Sequence, residues 1–391
     1  MTEDMFTPRS GESWRDPCPM YARLRDDHPV HHVADGDYWV LSRFDDVFAS
    51  ARDPQTFSSA SGLTFTYGER EKLAMDFSPL VMLDPPDHTA FRRLVSGSFT
   101  PRRVGDIEPA VRSFVKERID RLFTNGGGDL VEELAKPLPS FVVAHYLGVP
   151  PEDRARFDGW TEAIVGAAAK GETTSATDAV AEISGYFLDL IDRRRKDPSD
   201  DLIGSLARSE RDGEPVPALE ILGFAFTMIT GGNDTVTGLV SGGAEILADN
   251  PDQRERLAAH TSGIPAAVEE LLRLVSPVQG LARTTTADVH LHGVTIPRGR
   301  KVMLLYGAAN RDEREFGHDA AEFVAERNPA RTLAFGSGNH FCLGASAARL
   351  QGRVVFEELL ERAPEFTVDA RAGSFAEGNF VRRYAHLPIS L

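Results

Sequence analysis

The sequence predicts a mainly α-helical protein with a minor β portion, built as one continuous domain. Three observations lead there. Residues 110–122, 177–194, 218–248, 265–274 and 344–362 repeat their apolar side chains at three- and four-residue steps, the period of one helix face. Strand-like patterns are confined to two short regions. Across 391 residues there is no internal repeat and no long Gly/Ser- or Pro-rich linker, so the expected unit is 1–391. Apolar residues make up 41% of the chain, enough for a large buried core.

Charge and termini narrow the function classes. The chain carries 43 basic and 59 acidic residues, a formal net charge of -16. Such a surface repels phosphate backbones and anionic lipid, so neither nucleic acid nor a membrane is an expected partner. Met1 to Met5 lack the basic start and apolar run of a signal peptide. The most apolar stretch, 221–229, is interrupted by Gly223 and falls far short of the ~20 residues a bilayer requires. Cys18 and Cys342 do not make a disulfide framework, and a cytoplasmic location is expected.

From the N-terminus, 30–33 and 38–41 flank Asp35-Gly36, a hairpin signal. Pro85-Pro86-Asp87 opens a helix that places His88 and Arg92 four residues apart, on one face. Around 166–177, Gly171 and Thr173-Thr174-Ser175 separate two helical patterns and read as a mobile joint of a lid. The helix at 218–248 contains Gly231-Gly232. Each interior glycine costs about 1 kcal/mol relative to alanine; what the missing side chains provide is space. Thr235 lies on the same face as Gly231, where its hydroxyl can bond a loosened carbonyl and bend the helix. The alternative is a helix end at Gly231 with Asn233 and Asp234 in a turn, which Val236 and Leu239 argue against by resuming the apolar pattern.

Further on, Glu270 and Arg273 sit three residues apart on a helix, a spacing that permits an ion pair. Residues 289–305 read as strands with a turn at Pro297-Arg298-Gly299. The segment Phe335-Gly336-Ser337-Gly338-Asn339-His340-Phe341-Cys342-Leu343-Gly344 then presents a cysteine just before a helix. Free amides and the positive end of the helix dipole favour a thiolate there. Gly338 and Gly344 allow close approach of backbone and a flat cofactor, and Phe335 shields the sulfur from water. A buried structural cysteine is the alternative.

This cysteine loop resembles that of the cytochrome P450 family, and the likeness runs from Asp16-Pro17 to His386-Leu387-Pro388. The resemblance implies a soluble bacterial cytochrome P450 fold as a single haem domain over 1–391, with haem b between the glycine-broken long helix and the helix after the cysteine loop. It implies Cys342 as the axial iron ligand, with Phe335, Gly231 and Gly344 against the macrocycle. His88, Arg92, Arg283 and His340 are its implied propionate partners. Family members often carry a histidine just before the Leu-Ala-Phe-Gly segment; this chain has Thr332, which leaves open what replaces it. Asp234 and Thr235 match the acid–alcohol pair that supports proton delivery to dioxygen. Glu270, Arg273 and Arg327 match a buried structural cluster. Phe65, Phe224, Thr227, Met228, Val278 and Phe380 are the implied substrate-pocket residues, mostly apolar, so a hydrophobic substrate is expected.

The implied activity is a monooxygenase that inserts one atom of O2 into that substrate, by hydroxylation or oxidative dealkylation, and reduces the other to water. With Leu391 so close to the pocket-return segment, no reductase domain is expected; a ferredoxin and its NAD(P)H-dependent reductase are the implied electron supply. Arg102, Arg103, Arg349 and Arg353 form a candidate docking face. Three other readings stay open: a haem-thiolate enzyme using peroxide or coupling substrate radicals, a non-catalytic haem protein that senses or sequesters a ligand, and a helical protein without haem. The pair Asp234-Thr235 argues against peroxide use, since enzymes of that kind often replace it.

Overall fold

The computed structural model describes residues 5–69, 79–170, 176–211 and 213–391. The predicted joint at 171–175 lies outside the described residues. Alternating burial builds a hairpin from β1 (Val30–Val33) and β2 (Tyr38–Leu41), turned by Gly36 and Asp37 at positive φ. Next come α1 (Phe44–Ala51), β3 (Phe57–Ser58), α2 (Asp87–Ser96), α3 (Glu108–Thr124), β4 (Gly127–Asp129) and α4 (Pro137–Leu147). Two helices, Arg154–Lys170 and Thr177–Lys196, lead to the long α5 (Ala218–Asp249). After α6 (Ile264–Val275), the chain forms β5 (Leu281–Thr285), β6 (Lys301–Leu304) and the short α7 (Tyr306–Ala309). The cysteine-bearing loop precedes α8 (Ala345–Arg362), and β7 (Thr367–Val368), β8 (Ser374–Phe375), β9 (Tyr384–His386) and β10 (Pro388–Ser390) finish the fold.

The sheet holding most of the strands has the order β1-β2-β6-β5-β3. Its β2–β6 pairing is parallel and its other pairings antiparallel. The expected turn at Pro297-Arg298-Gly299 is present, with Gly299 at positive φ, and an additional turn at His292 and Gly293, both at positive φ, makes a hairpin of 289–296. That earlier turn was hidden because it required a histidine in the left-handed region.

Apolar burial divides α5 in two. Ile221, Phe224, Ala225 and Ile229 belong to one core with Phe157, Phe187, Leu190 and Ile191. Val236, Leu239, Val240, Ala244 and Leu247 belong to another, with α6 and α8. Gly231 and Gly232 fall at the boundary between these cores. The helix is not broken there: it runs as one 32-residue α-helix. Tertiary burial on both sides compensates for the weak propensity of the pair.

Behind this layer Glu270 and Arg273 are wholly buried. Two nearly parallel bonds of 2.7 Å join them, and Arg327 reaches the same carboxylate at 3.0 Å. Arg273 also donates to the carbonyls of Asn310 and Ala320, and Arg327 to that of Phe316. Every charge has a counter-charge and the spare donors meet backbone, so α6 is tied to the chain after α7. Arg273→Leu leaves a dry carboxylate with fewer partners and should cost about 3–5 kcal/mol of stability. Urea unfolding measures this; a wild-type midpoint in the variant would contradict the assignment.

Candidate functional site

Between the two cores lies a cavity of about 320 Å³, walled on one side by α5 and on the other by the cysteine loop. The loop is fixed before any ligand arrives. The Cys342 amide donates to the Phe335 carbonyl at 2.9 Å, and Phe341 to Gly338 at 3.0 Å. Gly338 has φ 70°, and a side chain there would strike the Ala51 carbonyl at 2.6 Å. Thus Gly338 serves close packing on α1, not approach of a cofactor: it does not line the cavity, whereas Gly344 does. Arg92 from α2 clamps the loop across its tip, donating to Asn339 at 3.0 Å and Phe341 at 2.6 Å.

The Cys342 sulfur is accessible, but to the interior of this cavity. Dense surrounding protein pushes its thiol up. The Gly344 amide, Arg92 and Arg349 act in the opposite, thiolate-favouring direction, and are outweighed. The expected thiolate-favouring pull of the loop is thus present, and desolvation opposes it. The Phe335 ring lines the cavity beside the sulfur, held edge-on to Phe341 and stacked under the Arg349 guanidinium at 4.6 Å.

Across the cavity, Gly231 has open space where a Cβ would stand, while at Gly232 a Cβ would meet Val143 at 2.9 Å. The Thr235 hydroxyl donates to the Gly231 carbonyl at 3.0 Å and lines the cavity. Asp234 does not line it; its carboxylate turns to Arg383 at 2.8 Å. Burial raises the Asp234 pKa, and Arg383 and Lys136 oppose the rise.

Basic groups gather on the rim. Arg283, 3% exposed, donates to the Ala282 carbonyl and, like Arg92, has no carboxylate partner among the described residues. His88 is buried with neither ring nitrogen hydrogen-bonded, and its ring packs on His340 at 4.2 Å. Burial pushes His340 down to about 3, helped by Arg283, His88 and Arg92, so it is neutral at ordinary pH. Its Nε2 lies 3.2 Å from Ser59 Oγ. A buried Arg283 and a half-buried Arg92 without carboxylate partners, and a buried His88 without a hydrogen bond, all among the described residues, favour an anionic, hydrogen-bonding guest. A flat group bearing carboxylates and a thiolate-binding metal meets these demands, and the open Gly231 face gives it room.

Four predicted pocket residues, Phe224, Thr227, Met228 and Val278, line the cavity. Phe65 and Phe380 do not. Phe65 stacks on Tyr38 at 4.8 Å and meets Phe380 at 5.5 Å, because the aromatic core under the hairpin offers more contact than the cavity wall. Thr332 also lies off the lining. Of the candidate docking arginines, Arg349 pairs with Glu269, Arg353 with Glu108 and Glu357, and Arg103 with Asp200. Only Arg102 of the four has no ion pair among the described residues. Sequence reasoning missed Tyr306, Ser59 and Arg383; the first two stand in segments with no motif, and Arg383 lies two residues past the segment singled out near Phe380.

Comparison with known proteins places this geometry. The family model for cytochrome P450 matches residues 263–371. Cytochrome P450 130 of Mycobacterium tuberculosis is 56% identical, over 98% of this chain and 97% of that protein. A vitamin D(3) 25-hydroxylase of Pseudonocardia autotrophica is 36% identical, over 99% and 96%. Among solved structures, CYP109Q5 from Chondromyces apiculatus superposes with a TM-score of 0.87 at 33% identity, covering 97% of this chain and 96% of that one.

The glycine pair separates folding from binding. Gly231→Ala should stabilise the ligand-free chain by up to about 1 kcal/mol, because alanine is the better helix former and meets nothing. The same methyl narrows the cavity and should weaken the guest. Thermal melts of the ligand-free chain and a cofactor titration measure the two effects; a less stable Gly231→Ala would show that the space is not open.

Proposed function

We propose a reaction on one premise, that this chain belongs to the cytochrome P450 family. It is a haem monooxygenase that uses O2 and a hydrophobic substrate. The finer reading is that residues 1–391 act as one domain holding haem b, with Cys342 as the iron ligand. The observation that carries it is one cavity lined by Cys342, Thr235, Arg92 and the buried Arg283, the two arginines having no carboxylate partner among the described residues. His88, Arg92, Arg283 and His340 would receive the propionates. The orphaned His88 nitrogens and the open Gly231 face support that fit.

Haem supplies, when bound, the activation of O2, with one oxygen atom going to substrate and the other to water. The chain supplies the rest. Cys342 gives up its proton when its charge is shared with a metal, since a coordinating thiol is deprotonated. Thr235 keeps a hydroxyl at the cavity wall, while its bond to Gly231 holds it in place. Asp234 takes up a proton more readily than a surface carboxylate because of its burial, and Arg383 keeps it facing away. Release from Arg383 lets the carboxyl pass its proton to the Thr235 side.

On the substrate side, Thr227 donates its hydroxyl to the Gly223 carbonyl at 2.9 Å and lines the cavity with Phe224, Met228 and Val278. A largely apolar substrate fits this wall. Relatives agree in kind: one is named a methyl-branched lipid omega-hydroxylase, and solved neighbours hold pseudoionone and testosterone. Electrons come, in this reading, from a ferredoxin and an NAD(P)H-dependent reductase, in the cytoplasm. Among the described residues no helix is long and apolar enough to cross a membrane.

Asp234→Asn removes the ionisable proton while keeping the shape. Turnover on O2 should fall about 10²-fold, the lower range for loss of a general acid, with an unchanged ferrous carbon-monoxide spectrum. Wild-type turnover in that variant would remove Asp234 from the relay.

A further inference from the structure

Tyr306 opens α7 with its ring 4% exposed, and its side chain lines the same cavity as Arg283. Its hydroxyl stands 3.9 Å from where a Cβ on Gly336 would be, so it lies against the cysteine loop. The Arg283 guanidinium faces that hydroxyl closely enough to hydrogen-bond it. A guanidinium only donates, so the phenol oxygen accepts from Arg283 and keeps its own proton. Burial holds the phenol neutral by pushing its pKa up. Among the described residues no oxygen accepts the proton of the Tyr306 hydroxyl. A buried donor in this state requires an acceptor, and the cavity is the open direction.

We propose that Tyr306 is a haem-anchoring residue of this chain, donating its hydroxyl proton to the haem propionate that Arg283 neutralises. The inference rests on the haem reading above and goes beyond it, because it assigns a neutral donor at a position no motif marks. It also answers what Thr332 leaves open. Thr332 is off the lining, whereas Tyr306 is on it and stands against Gly336 of the loop. Arg283 supplies the charge, and Tyr306 supplies direction. A guanidinium accepts a range of carboxylate positions, while a phenol fixed by the core at α7 admits few.

The experiment uses the haem-loaded full chain and measures haem loss to an excess of apomyoglobin. Tyr306→Phe should lose haem about tenfold faster, as expected for one charge-assisted hydrogen bond. In the haem-free chain Tyr306→Phe loses only the bond from Arg283, so a small drop in melting temperature is expected there, and the diester comparison below separates that loss from the propionate bond. Reconstitution with haem dimethyl ester, whose propionates carry no charge, should shrink the difference between wild type and Tyr306→Phe to well under threefold. The propionate-bending bands in the resonance Raman spectrum should shift in Tyr306→Phe with native haem. Equal haem-loss rates with native haem, or a tenfold difference that persists with the diester, overturn the proposal. A wild-type chain that takes up no haem overturns the functional reading along with it, whereas equal retention by two haem-bound proteins overturns only this inference.

Discussion

A sulfur atom walled into an interior cavity ionises less readily than one in water, and much of this structure answers to that constraint. The Gly344 amide, Arg92 and Arg349 all favour the charged form of Cys342, yet burial outweighs them. The charge therefore waits for a metal to share it. A loop that must offer sulfur without prior ionisation has to be positioned mechanically. It is: Phe335 and Gly338 hold its backbone, α1 packs on Gly338, and Arg92 caps its tip.

The opposite wall shows the complementary device. Continuous packing along α5 would have filled the space over the sulfur. Instead the two cores meet at Gly231-Gly232, and the helix survives there because both flanks are anchored. The buried Glu270–Arg273–Arg327 cluster keeps α6 and the chain after α7 in register behind that wall. Its charges satisfy one another, whereas Arg92 and Arg283 at the cavity rim lack counter-ions among the described residues. The contrast separates charges that finish the fold from charges that await a guest.

Long helices were legible because their apolar period is a local property: the expected 218–248 and 344–362 lie within a residue of α5 and α8. Cys342 and Thr235 stand in short local patterns that led to residues now seen lining the cavity, whereas His88, Arg92, Arg283 and His340 were pointed to by the family resemblance. What failed depended on contacts distant in sequence. Phe65 and Phe380 were drawn into the aromatic core by Tyr38, which no local pattern announces. Arg383 reaches Asp234 from 149 positions along the chain, so the acid read as facing the cavity turns out to be held from behind. Tyr306 was invisible for a similar reason, since its partner and its loop neighbour come from separate parts of the chain. The local dipoles that favour a Cys342 thiolate were legible, whereas the opposing desolvation comes from protein distant in sequence.

The most direct measurement is the ferrous carbon-monoxide difference spectrum of the haem-reconstituted chain and of Cys342→His. The account predicts the red-shifted Soret band of thiolate-ligated haem in the wild type, and its replacement by a nitrogen-ligated band in the variant. An unchanged band after the sulfur is gone would contradict it.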